Sequence, residues 1–180
     1  MKKIVLCLLM TVVILSMAGC ASKNNQDEAG TSSPAVSPSQ EVTPTPEPEE
    51  KELTGSLEEI LRKLHAAAEI DSDRMFFTVL DEENKEYFIG KADITYIEAV
   101  AAEPMINVHP HSIVLLKVDG NANIDDVKKQ LKENADGMKW ICVGVEPENI
   151  LVENVGHTIV LIMDNDSTKI KDAFLALDKE

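Results

Sequence analysis

The chain has 180 residues, with 32 Asp and Glu against 17 Lys and Arg, a net charge of −15 and a mean hydropathy of −0.10. A surface this acidic repels phosphate instead of releasing counterions from it, which disfavours nucleic acid and anionic lipid headgroups as partners. Its three cysteines, Cys7, Cys20 and Cys142, are too few for a disulfide scaffold.

The first residues read as an address. Lys2 and Lys3 precede the apolar run Ile4 to Leu15, whose only polar member is Thr11. That is the length of a signal-peptide core and falls short of the roughly 20 residues needed to span hydrocarbon. Met17, Ala18 and Gly19 then lead an open peptide into Cys20, and the segment "LSMAGC" resembles the lipobox of bacterial lipoproteins, with Met17 where Leu is usual. The resemblance implies a diacylglyceryl group on the Cys20 sulfur and cleavage before it, so that residues 1–19 are a lipoprotein signal peptide. Two acyl chains, at about 0.8 kcal/mol per buried methylene, hold a protein stably on a bilayer. The expected location is the extracytoplasmic face of the cell membrane. Loss of Lys2 and Lys3 leaves 32 acids against 15 bases, a net charge of −17.

Lipidated Cys20 opens a tether over residues 20–52. From Ala21 to Glu52 there is no aromatic residue, Val36 and Val42 are the only branched aliphatics, and Pro34, Pro38, Pro44, Pro46 and Pro48 recur. Such a segment buries too little apolar surface to offset its ordering entropy. As a flexible coil it holds the C-terminal part of the chain roughly 30 Å from the bilayer, and about 100 Å when extended.

Residues 53–180 are long enough for one domain with its own core. "SLEEILRKLHAA" spaces Leu57, Ile60, Leu61 and Leu64 along one helix face, with Ser56 and Glu59 in capping-box spacing. "MFFTVL" (75–80) and "YFI" (87–89) flank a polar loop and predict a hairpin, and "ITYIEAVA" (94–101) predicts either a further strand or a short helix. "SIVLLKV" (112–118) and "TIVLIM" (158–163) are continuous apolar runs, as in strands covered on both faces. Between them lie the helix "NIDDVKKQLKENADG", capped by Asn123 and ended by Gly137, and two further candidate strands, "KWICVGV" (139–145) and "NILVENV" (149–155). "DSTKIKDAFLAL" is a third helix. The expected fold class is α+β, a single small domain with about three helices packed on a largely antiparallel sheet. Cys142, between Ile141 and Val143, is expected as a buried strand thiol.

The order from "ADITYIEAVAAEP" through "HSIVLLKV", "IDDVKKQLKENA" and "VEPENILVENVGHTIVLIM" to the last helix resembles the lipoprotein domain known as domain of unknown function 4358. The resemblance covers most of residues 53–180 and implies a Gram-positive, clostridial-type cell envelope. It carries over no catalytic residue.

Chemistry must then come from the residues themselves. In "VHPHS", His109 and His111 project to one side of an extended segment and are the candidate metal ligands, with His157 or a carboxylate needed as a third. Ser112 has no nucleophile-elbow frame around it and, on a strand, faces away from His111. Asp164, Asn165 and Asp166 lack the full calcium-loop frame and read as caps of the last helix. Glu146 and Glu148 around Pro147 read as a turn, and His65 as a residue favoured near a helix C-terminus. No catalytic constellation emerges and no cofactor is implied. The expected role is a membrane-anchored protein- or wall-interaction module with an envelope partner, the alternative being a small-solute or metal-binding lipoprotein.

Overall fold

The computed structural model describes residues 51–106 and 108–179. The signal peptide, Cys20 and the tether up to residue 50 lie outside the described residues. Lys51 and Glu52, assigned to the tether by composition, already touch the domain: the Lys51 ammonium donates to the Asp178 carbonyl (3.3 Å), and Glu52 accepts from the His157 backbone N–H (3.1 Å) and pairs with its imidazole. No helix among the described residues is long and apolar enough to cross a membrane.

Five strands form one antiparallel sheet: β1 (Met75–Val79), β2 (Glu98–Pro104), β3 (His111–Lys117), β4 (Ile150–Val155) and β5 (Thr158–Asp164), in the order β1-β2-β3-β5-β4. The two continuous apolar runs are the central pair, in register from His111↔Asp164 to Lys117↔Thr158. Their side chains alternate between two cores. Ile113, Leu115, Val160 and Ile162 meet Leu57, Leu61, Leu64, Ile170 and Phe174 of the helices α1 (Leu57–Ala67) and α4 (Ser167–Ala176). Val114, Leu116, Ile159 and Leu161 meet Phe88, Ile89, Val127 and Leu131 of α2 (Lys85–Ile89) and α3 (Ile124–Asn134). Helices on both faces leave no solvated side, which is why these strands carry no polar alternation. Each fully buried Leu or Ile contributes about 1.5–3 kcal/mol.

The ends follow local chemistry. Ser56 Oγ accepts from the Glu59 N–H (3.3 Å) while Glu59 Oε2 accepts from the Ser56 N–H (2.8 Å), the reciprocal bonds of a capping box. Asn123 Oδ1 accepts from the Asp126 N–H (3.1 Å) at the start of α3.

Two expected strands are corrected. Residues 87–89 belong to α2, because Asp81 Oδ1 accepts from the N–H groups of Glu83 (2.9 Å) and Asn84 (3.0 Å) and winds the chain into a helix that drops Phe88 and Ile89 into the core. The partner of β1 is β2, which also settles residues 94–101: the strand begins at Glu98. Residues 139–145 form turns instead of a strand. Asp136 Oδ1 takes the Met138 N–H (2.8 Å) and Gly137 O takes the Val145 N–H (2.9 Å), closing a loop that plugs Trp140 into the α3-side core and leaves Ile141 and Cys142 in water. Cys142 is therefore exposed, not a buried strand thiol.

Candidate functional site

One end of the sheet carries a cavity of about 580 Å³. Two terminal strand pairs create it: Met75↔Pro104 closes β1 on β2, and His111↔Asp164 closes β3 on β5. The β2–β3 connection supplies an apolar wall of Met105, Ile106 and Val108, all exposed, and Asp71 and Arg74 face it from the turn before β1. Arg74 is held by Asp71 at 3.5 Å.

His111 is the buried polar residue of the lining. Its Nδ1 lies 2.7 Å from Asp164 Oδ2, and because a carboxylate only accepts, that nitrogen carries the proton. Its Nε2 is buried and has no hydrogen-bond partner among the described residues. Behind it stands His65 of α1, fully buried, ring centroids 5.8 Å apart, with its Nδ1 3.1 Å from Ser72 Oγ and its own Nε2 unpartnered. Burial pushes the His65 pKa down to about 4, helped by the neighbouring His111 and Arg62. A neutral buried imidazole gains nothing from the negative end of a helix, so packing and not the dipole explains His65. The sequence held that signal: His65 lies four residues beyond Leu61 and eight beyond Leu57, on the apolar stripe.

The other candidates separate. His109 sits exposed on the cavity wall, while His157 precedes β5 at the opposite end from Asp164, roughly 20 Å away along the strand. It therefore cannot serve as the third ligand for His109 and His111. Among the described residues no group of three His, Cys, Asp or Glu side chains converges. Asp166 makes no side-chain cap bond to α4; Asp164 instead turns the chain through its Oδ1, which takes the Asp166 N–H at 2.6 Å. Glu146 caps the short turn Pro147–Asn149 and Glu148 lies within it, both exposed.

Ser112 is fully buried on the opposite face from His111, where its Oγ accepts from the Lys139 ammonium (3.0 Å). Lys139 also pairs with Glu103 at 2.6 Å, and the rings of Tyr87, Phe88 and Trp140 lie 4.5–5.1 Å from its charge. Burial lowers the Lys139 pKa and Glu103 opposes the shift. Burial raises that of Tyr87 to about 12, reinforced by the Glu103 charge. A serine sealed from solvent beside an ion-paired ammonium has neither access for a substrate nor a free base, so this cluster is structural. Its members lie far apart in the chain, and nothing in the sequence joined them.

No family model matches the chain, and neither does any curated protein or solved structure.

Proposed function

We propose that this chain is a lipoprotein anchored through Cys20 on the extracytoplasmic face of the membrane, whose domain binds an envelope protein or wall component at the cavity beside His111. The address rests on the lipobox-like "LSMAGC", and the tether on the proline-rich residues 21–50. The observation that carries the binding role is the cavity wall. Met105, Ile106 and Val108 are large apolar side chains held in water on one connection, beside a buried imidazole whose Nε2 has no partner. Such a contiguous apolar rim marks a binding surface more often than a solvated loop does.

A photo-reactive amino acid at position 106, in the full chain in its own membranes, tests this reading. A discrete adduct that a probe at exposed Lys129 does not give supports it, and absence of any adduct at 106 overturns it. The cavity volume also lies within the range of small-ligand sites, which keeps a small-solute lipoprotein as the second reading. Native mass spectrometry of the chain from its own membranes decides for that reading if it shows a stoichiometric small-molecule adduct.

A further inference from the structure

Among the described residues β1 is an edge strand with no strand on its outer side. At its two ends the Leu80 N–H donates to Ala99 O and the Arg74 carbonyl accepts from the Met105 N–H, each at 2.9 Å. These bonds fix the phase of the ladder: the main-chain groups of residues 74, 76, 78 and 80 turn toward β2, and those of Met75, Phe77 and Val79 turn outward. Two of the outward groups are already satisfied. The Met75 N–H donates to Ser72 O, and the Val79 carbonyl accepts from Asn84 Nδ2 (3.0 Å). Among the described residues the Met75 carbonyl, both groups of Phe77 and the Val79 N–H have no partner, in the pattern that one added antiparallel strand satisfies.

Edge strands are ordinarily blunted by charge, proline or a bulge. β1 reads "MFFTV" with none of these, and Phe76 and Val79 are 58% and 65% exposed. Its first residue, Met75, lines the cavity, so a strand laid on this edge runs directly to the apolar wall.

Charge selects the occupant. Asp71 and Asp73 precede the strand and Asp81, Glu82 and Glu83 follow it, against Arg74 and Lys85, an excess of three acids (5 − 2). A second copy paired about Phe77 would set Asp73 opposite the other copy's Asp81, and like charges directly opposed destabilise a ladder. The chain's own tether is acidic near Glu47 to Glu50 and its recurrent prolines lack the N–H a ladder needs. We infer that β1 is a strand-addition site for an extended segment of a partner protein, apolar at its centre and basic at its ends. This inference rests on the proposed interaction role and names the partner's chemistry.

The test uses the full chain in nanodiscs and a short fluorescein-labelled peptide of alternating threonine and valine with lysines at both ends. Anisotropy should show saturable binding, with at least about a tenfold loss when alternate peptide amides are N-methylated or the lysines are replaced by glutamate, since one lost hydrogen bond is worth about a decade. Val79→Pro removes only an outward N–H and is tolerated on an edge, so it should weaken binding about tenfold with an unchanged thermal transition. No binding at about 1 mM peptide, equal binding of the methylated peptide, or self-association that consumes the edge each overturns the inference. The adduct at position 106 is read in the wild-type chain beside the peptide titration: if it forms while the peptide fails to bind, only the strand-addition inference falls. If neither forms, the interaction role falls with it.

Discussion

The Lys139 ammonium lies 2.6 Å from the Glu103 carboxylate, with the two side chains 4% and 13% exposed. Two charges taken this far out of water are expensive to separate, because removing one leaves the other without a counter-charge. Lys139→Met is therefore expected to cost about 3–5 kcal/mol, whereas Lys139→Met combined with Glu103→Leu should cost markedly less. Urea denaturation of the wild type, both single variants and the double variant measures this. A double variant as unstable as the sum of the singles would show that the two charges do not stabilise each other.

The exposure of Cys142 gives a second outcome that is quick to check. A thiol in water reacts with a disulfide reagent at the rate set by its thiolate fraction, without waiting for the fold to open. In a Cys7→Ser, Cys20→Ser variant, folded protein should displace one equivalent of the reagent's thiol through Cys142 at about the rate seen in denaturant. Strong protection in the folded state would place Cys142 inside the domain and contradict the loop.

Cys142 also shows where the sequence stops being legible. Helical stripes such as Leu57, Leu61 and Leu64 and unbroken runs such as residues 112–118 and 158–163 name their elements, because burial on one helix face or on both strand faces leaves a periodic trace. "KWICVGV" carries an apolar trace as well, but only Trp140 and Val145 are buried while Ile141 stands wholly in water. The deciding bonds, from Asp136 to Met138 and from Gly137 to Val145, are turn chemistry that periodicity does not register. "YFI" fails for the same reason, since Asp81 and Asn84 start a helix too short to show a period. The cavity was half legible: His109 and His111 were visible as a pair, but the partners of His111 are Asp164, 53 residues on, and His65 on another element. Strand register and helix packing alone bring these together.

Gly90 ends α2 at φ 65° and ψ −154°, a region essentially reserved for glycine, and a Cβ there would fall 1.8 Å from the Asn134 carbonyl oxygen. Backbone faces backbone, so no side-chain rotation relieves the overlap. Gly90→Ala should lower stability by at least about 3 kcal/mol, read as a shifted denaturation midpoint at constant slope. A loss below about 1 kcal/mol would mean that α2 and the end of α3 do not meet backbone to backbone at this point.

His65 sets a dependence on pH whose sign comes from its burial. Its pKa is about 4 in the fold against 6.5 in an exposed imidazole. As pH falls below 6.5 the unfolded chain takes up a proton that the folded chain refuses until about pH 4, so stability declines through that window and the contribution levels off below it. Above pH 6.5 both states are neutral at this position and the term vanishes. The full loss is about 3 kcal/mol, of which about 2 kcal/mol is already gone by pH 5. Other histidines and the carboxylates titrate in the same range, so the informative quantity is a difference. His65→Phe keeps an apolar ring in the core and cannot charge, and should lose about 2 kcal/mol less than wild type between pH 7 and pH 5 in urea denaturation. If both proteins lose the same amount, His65 is not held neutral.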